Sequence, residues 1–186
     1  MTELIEYYKG IFTILSSCAS RQLEEVTFRR TVIPVQELLD AAGKYFKKLM
    51  KNRPERIELE IEPMEAKVIG DVNQLRFLLE NLIDEALTVR EDGVIRLQAR
   101  KDNEYIRFLF TDTRREKSVE ELNQLFYPNL ARMTSGEKGE LRGTEYLVCK
   151  QIIRDHDEFA GRRGCRINAE PAEGGGFTVY FTIPRR

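Results

Sequence analysis

Residues 70–87, GDVNQLRFLLENLIDEAL, decide the fold of this chain. Their apolar side chains recur at helical spacing and predict one buried helix face, formed by Leu78, Leu79, Leu82, Ile83, Ala86 and Leu87. Asp71 stands where an N-cap residue would begin the helix. Asn81 and Glu85 lie beside the apolar stripe, and two interpretations stay open for them. The pattern alone favours a solvated helix edge, and the alternative is the wall of a binding site.

The composition is typical of an ordinary globular protein of one domain, with or without an appendage. The chain has 186 residues, of which 33% are charged and 41% hydrophobic. Its 30 Lys and Arg residues nearly balance its 31 Asp and Glu residues, so the net charge of −1 gives no support to a nucleic-acid partner. No apolar run is long enough to span a membrane, and we expect no membrane contact in this segment.

The cysteine and histidine content restricts the chemistry further. Cys18, Cys149 and Cys165 form no CxxC pair, which predicts reduced thiols and a cytoplasmic location. His156 is the single histidine, so no histidine-rich metal site can be assembled.

The first 30 residues predict a long helix. Apolar side chains recur at helical intervals, and further apolar residues widen the stripe beyond what a solitary surface helix needs. Such a stripe requires a packing partner. We therefore expect a homodimer through residues 1–30, a chain that is part of a longer polypeptide, or both.

The rest of the chain predicts an α+β fold. A helix begins near Pro34 and ends near Met50, a strand covers 57–61, and a connection over 64–70 leads to the helix at 70–87. Two alternating strands, a short helix over 118–126, a loop over 127–142, a helix over 143–156 and two further strands around GGG follow. Helices on one face of a mixed sheet would bury this pattern, giving a two-layer α/β sandwich.

The order of four motifs resembles a known family. The helix at 70–87 precedes a strand ending in FTDT (110–113), then come LRGTEYLVCKQII (141–153) and a glycine-rich hairpin before FTVYFTIP (177–184). This succession resembles the C-terminal ATP-binding domain of sensor histidine kinases, in the superfamily shared with gyrase-type and Hsp90-type ATPases. The resemblance covers roughly residues 33–184 and implies a Bergerat-type sandwich at residues 31–186. Residues 1–30 would then be the second helix of a dimerisation and phosphotransfer hairpin.

The resemblance implies a nucleotide site and also shows where this sequence departs from it. Asn81 and Glu85 occupy the two asparagine positions that hold ATP-bound magnesium, Asp112 occupies the adenine-binding position, and Gly143 is the glycine kept in the last phosphate motif. The other glycine positions of these motifs carry Arg114, Glu116, Leu141 and Glu145. Such residues fill space and add negative charge where ATP would lie.

Other residues near these motifs have simpler expected roles. We expect Arg114 and Arg115 to lie in a solvated charged loop, with binding of an anionic partner as the alternative, and the GGG at 174–176 to form a hairpin turn. The resemblance implies a structural role for His156.

These features lead to one main functional hypothesis and two alternatives. The main one is the C-terminal region of a two-component sensor histidine kinase with a degenerate ATP-binding domain, in effect a pseudokinase. It would act through dimerisation and docking to a response regulator or other signalling protein, at the cytoplasmic end of a larger, membrane-anchored sensor. The chain holds no helix for a phosphoacceptor histidine, so no catalytic residue is assigned and enzymatic activity is left open.

The first alternative is an active domain that binds ATP and magnesium and serves a phosphoacceptor histidine upstream. The second is a protein-binding scaffold without a signalling role.

Overall fold

The computed structural model describes residues 28–128, 134–135 and 141–186, together with Thr2, Leu4, Ile5, Tyr8 and Lys9. Its centre is a five-stranded sheet with the strand order β2-β4-β5-β9-β8. These strands are β2 (Ile57–Ile61), β4 (Gly93–Asp102), β5 (Tyr105–Asp112), β8 (Ile167–Pro171) and β9 (Phe177–Pro184). Strand β2 is parallel to β4, and the other neighbours are antiparallel. The predicted mixed sheet is confirmed.

The alternating sequence of these strands puts an apolar row on one face of the sheet. Ile95 and Leu97 of β4 and Phe108 of β5 are fully buried, and the ring of Phe108 stacks on Phe181 of β9 at 4.8 Å between centroids. The opposite face carries polar side chains such as Arg96. Because strand side chains alternate between faces, the period of the sequence alone is enough to predict this division.

Tight turns join the antiparallel pairs. Asn103 has a positive φ of 53° between β4 and β5. Between β8 and β9, all three glycines of the GGG run have positive φ, and Ala172 N–H donates to the carbonyl of Gly176 at 3.0 Å. The predicted hairpin turn is confirmed.

Three longer helices cover the apolar face of the sheet, which confirms the α+β class and the two-layer arrangement. They are α1 (Val35–Met50), α2 (Val72–Ala86) and α4 (Glu145–Phe159), and a fourth, short helix is α3 (Val119–Asn123). Asp71 caps α2 by accepting from the N–H groups of Asn73 and Gln74. The α3 helix begins with a reciprocal capping box between Ser118 and Glu121.

A pair of short strands before the helix α2 was not predicted. Strand β1 (Thr31–Pro34) pairs antiparallel with β3 (Lys67–Gly70), where we expected only the start of a helix and a connection. Each strand has four residues, too few for a recognisable alternation, and their pairing joins segments distant in sequence. Pro34 is the extended residue immediately before α1 rather than part of its first turn.

A two-residue ladder lies within the loop predicted for residues 127–142. It pairs β6 (Thr134–Ser135) with β7 (Leu141–Arg142), and the rest of that loop beyond residue 128 lies outside the described residues.

The predicted helix over residues 1–30 lies mostly outside the described residues. Thr2, Leu4, Ile5, Tyr8 and Lys9 are helical, and dimerisation through this segment stays a prediction.

His156 of α4 lies between the N-terminal end of α2 and the segment that precedes β1. It is fully buried; its Nε2 accepts from the Asp71 N–H at 3.1 Å, and its Nδ1 lies 2.8 Å from the Ile152 carbonyl. Phe28 packs edge-on against the imidazole at 4.8 Å, and the Arg29 N–H donates to the Asp71 carboxylate at 2.9 Å. Burial lowers the pKa of His156 to about 4. The predicted structural role is confirmed.

Cys149 and Cys165 are buried free thiols, as predicted, while Cys18 lies outside the described residues. Burial, with the charge of Asp157, raises the pKa of Cys165 to about 12, which disfavours the thiolate at neutral pH.

Candidate functional site

The last turns of α2 meet the end of β5, and the predicted site residues of both elements lie at this junction. Asp112 is the last residue of β5, and only 1% of it is exposed. The β9 strand runs beside it, so that a Cβ on Gly176 would lie 2.1 Å from the Asp112 carbonyl oxygen. Only glycine fits at that position, which keeps the glycine-rich turn closed against the aspartate.

The Asp112 carboxylate is bonded by the two arginines that follow it. Its Oδ1 accepts from the backbone N–H and the Nε of Arg114, both at 3.0 Å. Its Oδ2 accepts from a terminal nitrogen of Arg114 at 2.9 Å and from Nε of Arg115 at 3.2 Å. Both carboxylate oxygens are therefore occupied by groups of the chain itself.

Arg114 also caps the C-terminal end of α2. Its guanidinium donates to the carbonyls of Ala86 at 2.6 Å, Val89 at 3.1 Å and Glu91 at 3.0 Å. A cation at this end of a helix is favoured, because unpaired carbonyls and the helix dipole both present negative charge there. The Arg114 side chain is only 1% exposed. The prediction of a solvated loop is therefore wrong for this residue.

Gly93 explains how the arginine reaches this position. It has a φ of +148°, and a Cβ at this glycine would lie 2.5 Å from Cγ of Arg114. The start of β4 thus leaves room for the aliphatic part of the arginine side chain, which crosses to the helix end.

Arg115 connects the same aspartate to Glu85. Its two terminal nitrogens bind the Glu85 carboxylate at 2.8 and 3.3 Å, and its side chain is 16% exposed. Its guanidinium also lies over the ring of Phe177 at 5.5 Å. Burial alone would lower the pKa of Arg115, but the hydrogen bonds and charge of Glu85 raise it above its usual range. The expected solvated loop is wrong here too, since Arg115 is mostly buried.

Tyr146 of α4 completes this side of the junction. Its hydroxyl donates to Oε2 of Glu85 at 2.5 Å, and the side chain packs against Phe126. Burial and the negative charge of Glu85 raise the pKa of Tyr146 well above its ordinary value. Asp112, Arg114, Arg115, Glu85 and Tyr146 thus form one continuous network, which we call the arginine network.

Two of the predicted site residues lie beside the arginine network without joining it. Asn81 is 8% exposed and donates to the carbonyl of Phe77 within α2 at 2.8 Å, so a solvated helix edge is wrong for this residue. Gly143, with a φ of +86°, precedes α4.

Glu145, at the start of α4, lies in an acidic surrounding. Burial raises its pKa, and the charges of Glu85 and Asp84 raise it further. Asp84 itself accepts from the Tyr45 hydroxyl at 2.6 Å. The start of α4 therefore lies within the electrostatic influence of two carboxylates of α2.

The described part of the chain contains neither a cluster of metal-binding side chains nor a membrane-spanning helix. Within it, no group of three or more His, Cys, Asp or Glu side chains is arranged to bind a metal ion. None of the helices in those ranges has the length and apolar character needed to cross a bilayer.

Comparison with known proteins now defines the family. The profile of the family described as histidine kinase-, DNA gyrase B-, and HSP90-like ATPase matches residues 70–186, more than half of the chain. The chain belongs to this ATPase family. Domains of the family generally bind ATP with magnesium. Among curated proteins, none matches the chain closely enough to count as a relative.

Solved structures agree with this family on the fold. The nucleotide-free catalytic domain of histidine kinase ThkA is 21% identical, with a TM-score of 0.65 over 84% of this chain and 96% of that chain. The mycobacterial sensor histidine kinase MprB is 18% identical, with a TM-score of 0.65 over 85% and 99%. ThkA in complex with the response regulator protein TrrA is 19% identical, with a TM-score of 0.65 over 96% and 49%. At these identities the likeness establishes the ATPase fold and no more.

The arginine network includes residues that the sequence did not assign to the site. Arg114 and Arg115 were expected in solvent, and the sequence predicted no site role for Tyr146. One signal was available: two consecutive arginines follow the aspartate that ends a buried strand, with only Thr113 between them. In this ATPase family one of those positions is expected to be a glycine, so a buried aspartate followed by arginine indicates an internal ion pair.

Proposed function

We propose that this ATPase-family domain acts without ATP, because its nucleotide site is filled by its own side chains, and that it works by dimerisation and partner docking. The observation that carries the proposal is the buried Arg114 side chain, held between the Asp112 carboxylate and the end of α2.

The adenine position does not fit a nucleotide. In this family the aspartate at the Asp112 position is expected to accept a hydrogen bond from the adenine amino group. Here Arg114 and Arg115 already donate to both carboxylate oxygens. An adenine would have to displace a buried, charge-assisted pair and leave the guanidinium without its acceptor.

The magnesium position does not fit either. Glu85, which replaces an asparagine of the family motif, is neutralised by Arg115 and bonded by Tyr146. Glu145 and Asp84 add further negative charge nearby. At about 4 Å, two like unit charges repel by roughly 4 kcal/mol at an effective dielectric of 20, so a triphosphate would be disfavoured here.

Partner docking is the function that such a domain retains. ThkA has been solved in complex with the response regulator TrrA, and the alignment with that complex covers 96% of this chain. We propose a response regulator or related signalling protein as a partner of this chain as well. Leu4 and Ile5 are helical and more than half exposed, which supports the proposed homodimer through residues 1–30.

Titration calorimetry with Mg-ATP tests the nucleotide part of the proposal. We expect no heat of binding up to millimolar nucleotide for the wild-type chain. Asp112→Asn and Arg100→Ala should give the same null result, the second being an exposed matched control. Magnesium-dependent binding in the micromolar range that Asp112→Asn abolishes would contradict the proposal and support an active ATP-binding domain.

Light scattering tests the dimer. The wild-type chain should have the mass of two copies, and the double substitution Leu4→Lys with Ile5→Lys should shift it to one. A monomeric wild-type chain with an intact helical spectrum would refute dimerisation through residues 1–30.

A further inference from the structure

Strand β2 leaves one side of the sheet open. Within the described residues it pairs with β4 alone, through bonds such as Gly93 N–H to the Arg56 carbonyl at 3.0 Å and Glu62 N–H to the Leu97 carbonyl at 3.2 Å. Backbone groups of successive strand residues point to opposite sides. The even-numbered residues therefore bond to β4, and the N–H and C=O groups that face the open side belong to Ile57, Leu59 and Ile61.

The opposite edge of the sheet differs from this one. Strand β8 ends at Pro171, which has no N–H to donate, and the short helix α3 lies against that strand. In the described part of the chain, β2 is thus the sheet edge that presents a regular ladder of free donors and acceptors.

A groove runs along this free edge, between β2 and α1. Its volume is about 740 Å³, and its apolar lining includes Phe46, Leu59 and Ile61. Gly43 of α1 approaches so closely that a Cβ there would lie 3.2 Å from Cδ1 of Ile61, which closes the floor. A strand added about 4.8 Å from β2 would lie along this groove with one row of side chains on the apolar lining.

The two rims of the groove differ in charge. The helix side is mixed, with exposed Asp40, Lys44 and Lys47 of α1, whereas the sheet side is negative, with exposed Glu58 and Glu60 of β2. Glu60 pairs with Arg96 at 2.8 Å, whereas Glu58 has no ion pair within the described ranges. One row of side chains of an added strand would point away from α1, on the same face as Glu58 and Glu60. That row would therefore lie beside unpaired negative charge.

This charge pattern argues against a second copy as the occupant. If β2 paired with β2 of another chain, the glutamate rows would lie on the same sheet face, and like charges on facing strands are destabilising. A strand with basic side chains on that row has the complementary charge.

We propose that the free edge of β2 binds an extended segment of a partner protein in which basic and apolar side chains alternate. The apolar row packs on the groove lining, and the basic row lies beside Glu58 and Glu60. The segment adds a strand to the sheet, so its backbone supplies affinity and its two rows supply specificity. The inference rests on the docking part of the proposed function and names the kind of segment that docks.

Two synthetic peptides of about eight residues, a usual strand length, test this on the full chain. One alternates valine with lysine, and its matched control alternates valine with glutamate. Nuclear magnetic resonance should show amide shifts and slowed hydrogen exchange at Ile57, Leu59 and Ile61 with the lysine peptide. The glutamate peptide should bind more weakly by about tenfold or more.

Charge reversal separates this site from general electrostatic attraction. Glu58→Lys with Glu60→Lys should weaken the lysine peptide by about tenfold and strengthen the glutamate peptide. Glu120→Lys with Glu158→Lys makes the same change in net charge at exposed positions outside the groove lining, and should leave binding unchanged.

Three results would overturn the inference. The first is that the amide resonances of β2 do not shift with millimolar lysine peptide. The second is that both double variants weaken binding of the lysine peptide equally. The third is that the amide resonances of β2 shift with protein concentration alone, which would indicate a second copy. None of them bears on the Mg-ATP titration, so failure of this inference is distinguishable from failure of the proposed nucleotide-free state.

Discussion

Substitution of Arg114 by alanine should destabilise the domain more than any other single change in the arginine network. The side chain makes two hydrogen bonds to Asp112, one to the last carbonyl of α2 and two to carbonyls of the segment that follows, and it is 1% exposed. Removing one partner of a buried ion pair costs about 3–5 kcal/mol. Arg115 still donates to Asp112 in the variant, which puts the expected loss of unfolding free energy at about 3–4 kcal/mol.

Urea unfolding followed by circular dichroism measures this loss. With a slope of about 2 kcal/mol per molar urea, the midpoint should fall by roughly 1.5–2 M. Arg114→Lys keeps the charge but loses the planar fork, and we expect an intermediate shift. Arg100→Ala, on the exposed side of β4, should stay within about 0.5 kcal/mol of the wild type.

A double-mutant cycle isolates the ion pair itself. Combining Arg114→Ala with Asp112→Ala should cost less than the sum of the single changes by about 1–3 kcal/mol, because each residue becomes unfavourable without the other. A midpoint shift below about 0.3 M for Arg114→Ala, or additive single effects, would show that Arg114 does not stabilise the domain in this way.

Two further predictions concern His156 and the glycine turn. Because burial lowers the pKa of His156 to about 4 from an unfolded value near 6.5, the unfolded chain binds the proton more readily and stability falls between pH 6.5 and 4. Between pH 7 and 4.5, the free energy of unfolding of the wild type, measured by urea unfolding, should therefore fall by about 2.5 kcal/mol more than that of His156→Gln. Equal decreases in the two proteins would contradict a buried neutral imidazole. Gly176→Ala should cost about 2–4 kcal/mol, because it combines a φ of +83° with a Cβ 2.1 Å from the Asp112 carbonyl oxygen. Gly174→Ala has a similar φ but open space, so thermal or urea unfolding should give only about 1 kcal/mol, and equal effects at the two sites would argue against the close contact.

The parts of the fold that depend on local periodicity could be predicted from the sequence. The apolar stripe of α2 and the alternation of β4, β5 and β9 are properties of short segments, and each segment indicates its own buried face. The β1–β3 pair could not be predicted, since four-residue strands carry little pattern and their partners are distant in sequence.

The sequence predicted which residues lie near one another at the candidate site, but not that arginines pair with both carboxylates. Asp112 and Glu85 were expected at the junction of β5 and α2, and the structure brings both into one network through Arg115. The direction of the Arg114 side chain depends on the carbonyls of Val89 and Ala86, which lie 25 and 28 residues earlier in the chain. It also depends on the space left by Gly93. No local rule on arginine, which is usually exposed, indicates such burial.

The arginine network has a consequence for how this sequence can change over evolutionary time. Replacing Glu85 alone would leave Arg115 and Tyr146 without their shared acceptor, and replacing Arg114 alone would leave Asp112 short of donors. Each single substitution at these positions therefore lowers stability unless its partners in the network change with it. The five residues are energetically coupled, so we expect them to be conserved together or replaced together among related sequences.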